Sequence, residues 1–199
     1  MKILQLVLTV LCACILAGCG HSEQAKAEKA INAGLIQHAN CIDTPADVYV
    51  DPLNPGQKAV LDALQAKGLV ASGTVTAENL FGKKFPKPGY VLTPAAQALV
   101  GRAAVQGTFA VMPCLRSGHY QVAKIAAIDN GNDIDGQPMA SVRTTLHFVP
   151  EAWFADTKAN PQFTNLWTQI DATEKAQWVY RLRKSGDDLF FGGLGERLN

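Results

Sequence analysis

Two histidines and one serine have the side chains for polar catalysis, and their spacing decides what chemistry they offer. His119 and His147 occupy outward positions of two alternating runs, nearly equidistant from the turn-rich stretch between them, so they are expected to face each other across a hairpin. Two imidazoles begin a zinc site. A third ligand has no address in the sequence, because neither His-x-x-x-His nor His-Glu-x-x-His occurs, and surface or partner-contacting histidines fit the pattern better. Ser117-Gly118-His119 sets serine and histidine too close together to imply a triad, and no Gly-x-Ser-x-Gly elbow exists. The expectation is therefore a protein that is not an enzyme, with no catalytic residue, no metal and no cofactor.

Other polar clusters point the same way. Asp133-Ile134-Asp135-Gly136 echoes part of an EF-hand loop, but with Gly136 as the loop glycine the first ligand position falls on Gly131 and the closing glutamate position on Val142. A solvated turn is expected there. Gly192-Gly193-Leu194-Gly195 lacks a following helix that would turn it into a phosphate loop, so a flexible C-terminal end is expected. Binding chemistry is better represented. Lys83, Lys84 and Lys87 lie between or beside Phe81 and Phe85 in one basic loop that could meet an anionic glycan, lipid headgroups or an acidic partner, although an ordinary exposed loop with its phenylalanines tucked into the domain is favoured. Trp153 and Trp167 are candidates for stacking on sugars, but core packing is the favoured reading of both.

The elements that position these residues can be read from periodicity and caps. Ala27, Ile31 and Leu35 recur every four residues and predict a short amphipathic helix over about 22–38. Asp47-Val48-Tyr49-Val50 reads as a brief strand. Asn54, Pro55 and Gln57 form a helix-start signal, Val60, Leu61 and Leu64 give that helix an apolar face, and Gly68 stops it. Leu69-Val70 and Tyr90-Val91-Leu92 read as strands joined by the long basic loop. Thr93-Pro94 predicts a further helix running to about Val105.

In the second half, 119–128 and 140–149 alternate as strands around the turn cluster 129–138. Tyr120, Val122, Ala126 and Ile128 share one face, as do Val142, Leu146 and Phe148, leaving Arg143, Thr145 and His147 outward. A second hairpin is expected from 177–183 and 189–191, with Trp178, Tyr180 and Leu182 inward.

The run Leu61-Asp62-Ala63-Leu64-Gln65-Ala66-Lys67-Gly68-Leu69-Val70 followed by Tyr90-Val91-Leu92-Thr93-Pro94-Ala95 resembles the helix, wing and helix of winged-helix proteins. In that family the first of these helices reads the major groove and the hairpin loop is the wing. Asp62 on the reading helix opposes DNA contact, and no nucleic-acid partner is expected. The second half is similar in pattern to cystatin-like and NTF2-like sheets, which implies a concave face able to hold a ligand or partner. The fold class expected is α+β, a winged-helix-like helical module followed by a curved antiparallel sheet.

Location is read from the other end of the chain. Lys2, the apolar run from Ile3 to Ile15 and Leu16-Ala17-Gly18-Cys19 resemble the signal peptide and lipobox of bacterial lipoproteins. The resemblance implies cleavage before Cys19 and acylation of that residue, with the two or more chains that stable anchoring requires. Gly20 in place of aspartate implies the outer membrane, facing the periplasm. Cys12 and Cys14 would leave with the signal and Cys19 would be lipidated, so in an oxidising compartment Cys41 and Cys114 are expected to bond.

The mature chain would keep 17 of 18 basic residues against 17 acidic ones, too balanced to hold nucleic acid or an anionic leaflet by charge alone. The segments expected are a signal peptide over 1–18, an anchor, tether and short helix over 19–40, a winged-helix-like module over 41–115 and a sheet module over 116–199. Together they suggest an envelope-anchored accessory or scaffold protein that binds without catalysis. The alternatives are a small-molecule or glycan-binding module and, less favoured, a periplasmic hydrolase or metalloenzyme.

Overall fold

The computed structural model describes residues 22–42, 47–49, 55–78, 81–104, 111–193 and 195–198. The lipobox, Cys19 and the Asn54 cap lie outside them. The chain is mixed α+β and mostly strand, with helices and a curled antiparallel sheet. Among the described residues, β1 (Asn40–Ile42), β6 (Val111–Asn132), β7 (Pro138–Pro150), β8 (Gln177–Ser185) and β10 (Glu196–Leu198) lie side by side in that order. β5 (Val100–Ala104) also pairs with β6, and β9 (Asp188–Phe191) with β8. A smaller sheet orders β2 (Asp47–Tyr49), β4 (Lys84–Leu92) and β3 (Val70–Glu78).

The residues form two compact units that share the long strands β6 and β7. The first comprises the chain through Gln37, Gln121–His147 and Glu174 onward. Helix α1 covers 22–37, and its predicted stripe is its buried face, with Ala27 and Ile31 fully buried and Leu35 nearly so. Asn32 fixes the helix against the sheet by accepting a 2.7 Å bond from the Val122 amide. Along β7, Val142, Leu146 and Phe148 are buried as expected, while Arg143 and His147 are exposed. Thr144 shares the buried face because its hydroxyl donates to the Lys124 carbonyl at 2.8 Å, so the polar group enters satisfied. The 177–191 hairpin forms with Tyr180 and Leu182 buried.

The second unit comprises His38–Tyr120 and Phe148–Thr173. Its core joins Leu64, Leu69, Val70, Ala96, Leu115, Phe148, Phe154, Phe163 and Ile170. Helix α2 (Pro55–Ala66) buries Leu61 and Leu64, then ends where Gly68 adopts φ +71° and the Leu69 amide returns to the Leu64 carbonyl at 3.0 Å. Glycine suits that left-handed position because it has no Cβ to clash. Cys41 and Cys114 are disulfide-bonded, with Cα atoms 5.5 Å apart.

Several elements differ from expectation. The helix after Thr93 is only α3 (Pro94–Gln97), and Val100 onward turns into β5, paired from Val100–Leu115 to Ala104–Val111. β-branched Val100 and Gly101 are weak helix formers, and the edge of β6 satisfies their backbone groups instead. The 119–128 strand extends to cover Val111–Asn132, which shrinks the expected turn cluster to residues 133–137. Glu196–Leu198 is ordered as β10 on β8, not a flexible end; Arg181 grips Glu196 through two bonds of 2.8 and 3.1 Å. Between β7 and β8, where no element was expected, lie α4 (Ala152–Ala155), a short 3-10 helix (Pro161–Phe163) and α5 (Thr164–Lys175).

Candidate functional site

Of the basic segment, Lys84 onward belongs to the hairpin strand β4, while Phe81, Gly82 and Lys83 precede it in a turn. β3 and β4 pair residue by residue from Val70–Leu92 to Glu78–Lys84. β3 supplies β-branched Thr74, Val75 and Thr76, and β4 accommodates Pro86 and Pro88, which lie outside the stretch Gly89–Val91 that pairs with β2 among the described residues. At the hairpin end Phe81 is 93% exposed, with Lys83 and Lys84 exposed beside it. Lys87 is half-buried, its Nζ 5.1 Å from the centroid of the Phe85 ring. The arrangement presents one aromatic ring with adjacent positive charge, a chemistry suited to an acidic surface that also offers an apolar foothold.

Trp153 and Trp167 are partly buried and pack against the core of the second unit. Phe154 is fully buried, stacks on Trp167 at 4.7 Å, and meets Trp153 and Phe163 edge-on at 5.4 and 5.9 Å. Trp153 donates its indole N–H to the Arg116 carbonyl at 2.9 Å, and Trp167 donates to Thr157 Oγ1 at 3.1 Å. Lys158 Nζ lies 5.2 Å from the Trp167 ring centroid. Stacking on a sugar would have to displace these contacts. Beside the cluster, Cys41, Ile42, Val60, Phe163 and Leu166 line a groove of about 250 Å³ whose polar groups come from Gln162, Asn165 and Gln169.

The β6–β7 turn closes between the Asp133 amide and the Gln137 carbonyl, so its centre is Asp135, and the Glu151 amide bonds to the Ser117 carbonyl farther down the hairpin. His147 Nδ1 is 2.9 Å from Glu174 Oε1. Among the described residues no group of three or more His, Cys, Asp or Glu side chains could hold a metal. Ser117 is fully buried and donates to the Asn40 carbonyl at 3.0 Å. Asp133 Oδ1 accepts from the Asp135 and Gln137 amides at 2.9 and 2.8 Å, which makes its carboxylate a turn-builder.

No family model, curated protein or solved structure matches this chain. Function must therefore be argued from the residues themselves, including two polar clusters that sequence reading did not find. On α2, Asp62 Oδ2 accepts from Lys58 at 2.6 Å and Asp62 Oδ1 accepts from the Tyr90 hydroxyl at 2.6 Å. The Lys58 bond first, and the Tyr90 bond second, hold the Asp62 carboxyl below its usual range; the same carboxylate raises Tyr90. The Lys58–Asp62 half was visible as an i,i+4 pair, while Tyr90 arrives only through the β4 fold-back.

The second cluster holds the start of α1. Glu23 accepts from Lys184 at 3.1 Å and from Asn130 at 3.2 Å, which lowers its carboxyl, and Lys26 donates to the Asp187 carbonyl at 2.9 Å. Its groups are far apart in the chain, and only the lone charges near the helix start hinted at it.

Proposed function

We propose that this chain is an envelope-anchored lipoprotein whose mature part is a non-catalytic binding or accessory module, held at the outer membrane through Cys19 and facing the periplasm. The hairpin end at residues 81–87 is its contact surface for a protein partner. The observation that carries the proposal is the exposure of Phe81 beside Lys83 and Lys84, next to the end of the paired strands β3 and β4. A large exposed ring is a common anchor of protein interfaces, and flanking lysines add steering toward an acidic surface. In this proposal the β2–β4–β3 sheet with α2 is a winged-helix-like module used for protein contact; its strand order and the packing of α2 on β3 support that likeness.

Co-purification of the full-length lipidated protein with a cross-linker placed at Phe81 tests it. A partner joined through an acidic segment, and lost when Lys83, Lys84 and Lys87 are changed to Glu together, is the expected outcome. An undiminished complex in that variant would remove the hairpin from the interface. The anchor is tested separately: Cys19→Ala leaves the precursor uncleaved, and Gly20→Asp retains the protein at the inner membrane.

The groove beside Phe163 and Leu166 favours one second reading, a site for a small amphipathic ligand. Its apolar lining with an amide rim matches the general make-up of ligand sites, though its volume is at the small end. Ligand-dependent thermal stabilisation that is lost in Leu166→Trp would favour this reading over the first.

A further inference from the structure

We propose that the end of the first unit built from the start of α1, the β8–β9 turn and the β6–β7 turn is the face that rests on the membrane. This rests on the reading that Cys19 is lipidated. The argument is one of reach. Only Gly20 and His21 separate Cys19 from Ser22, where the described helix begins, and three residue steps span at most about 10 Å. A lipid-bearing Cys19 therefore brings the first turn of α1 to within that distance of the acyl-chain boundary.

That first turn is not free to swing away from the unit. Glu23 is tied to Lys184 on β8 and to Asn130 near the end of β6, and Lys26 to the Asp187 carbonyl in the β8–β9 turn. Whatever depth Glu23 takes at the bilayer, Asp187 and the β6–β7 turn take with it. Ser22, Glu23, Lys26, Lys184, Asp187 and Asp188 line a cleft of about 180 Å³ at this end, so the face presents both signs of charge. Such a face suits zwitterionic phospholipid headgroups, which offer a phosphate and an amine, better than a purely anionic surface. Ile134, fully exposed at the tip of the β6–β7 turn, supplies an apolar side chain for the interfacial layer.

The opposite end of α1 provides an internal ruler. Ile36 is 61% exposed and stands thirteen residues beyond Glu23, a rise of about 20 Å along the helix. The test uses lipidated full-length protein in phosphatidylethanolamine–phosphatidylglycerol vesicles carrying a headgroup nitroxide. A fluorophore is placed in turn at Ile134→Cys, Asp187→Cys and Ile36→Cys, with mass spectrometry of each sample to establish acylation of Cys19. All three positions are exposed, so the fold is expected to persist in each.

Quenching at Ile134 and Asp187 at least double that at Ile36 is the expected result. Equal or reversed quenching in protein with lipid on Cys19 would overturn the orientation while leaving the anchor standing. Absence of lipid on Cys19 would overturn both, so the two failures are told apart by the mass spectrum.

Discussion

Phe154 and Trp167 lie ring on ring, with centroids 4.7 Å apart and planes 13° from parallel, although they come from different helices. Phe148, Trp153 and Phe163 close around Phe154 edge-on, which is the arrangement aromatic quadrupoles favour. Truncating its centre should therefore remove transfer energy and leave a cavity that the four remaining rings cannot easily collapse. Phe154→Ala is expected to cost about 3–5 kcal/mol in urea unfolding. Trp167→Phe keeps a ring on Phe154 but forfeits the indole bond to Thr157, and should cost about 1 kcal/mol. Equal losses in the two variants would contradict the central position of Phe154.

The Cys41–Cys114 bond ties β1 to β6 across a sequence separation of 73. Closing so long a loop restricts the unfolded chain, and the associated stabilisation is about 4 kcal/mol on loop-entropy grounds. Cys114 is almost fully buried, so reductant should act on the folded protein slowly and on the unfolded protein readily. The expected result is a large fall in urea midpoint for Cys41→Ser/Cys114→Ser, matched by wild type unfolded and refolded under reductant. An unchanged midpoint would mean that the bond does not form in the protein.

Where the sequence was legible, a local rule was sufficient. The spacing of Ala27, Ile31 and Leu35 identifies both α1 and its buried side, and alternation at Val142, Leu146 and Phe148 identifies the inner face of β7. Where it was not, the deciding contact was distant. β5 forms because β6 offers an edge to Val100–Ala104, a partner invisible in a helix-start signal at Thr93-Pro94. Helix α5 is largely polar, and its buried side is defined by Ile170 and by rings arriving from α4 and β7. The groove and the clasp around Glu23 each join residues more than a hundred positions apart, so no spacing rule could have shown them.

Tyr180 makes the alkaline limb of stability testable. Burial pushes its hydroxyl up to about 12, against an ordinary value near 10, because the phenolate would lose its hydration. Between those values the unfolded chain releases the proton and the native state keeps it, so the unfolded state binds fewer protons and stability falls as pH rises. The contribution is fully present below about pH 10 and disappears as pH passes through the folded value. Tyr180→Phe has no proton to lose there. Its stability measured against that of wild type should therefore improve steadily across this window, and parallel curves would show that Tyr180 ionises in the fold as it does in water.

Gly34 is the remaining anomaly of α1, a glycine inside a helix where alanine would ordinarily be worth about 1 kcal/mol more. The reason is contact: a Cβ built on Gly34 would stand 2.2 Å from Cγ of Phe191, so the ring of β9 lies directly on the helix backbone. Gly34→Ala must push the ring or the helix away, and it should destabilise by about 1–3 kcal/mol, as overpacked cores do. In a Phe191→Ala background the obstruction is gone. There the same change should be neutral or stabilising, which gives a coupling between the two positions of about 0.5–3 kcal/mol in a double-mutant cycle of urea melts. Additive effects would mean that α1 is not seated on Phe191, and would also weaken the rigid link between the start of that helix and the β8–β9 turn on which the membrane-facing orientation depends.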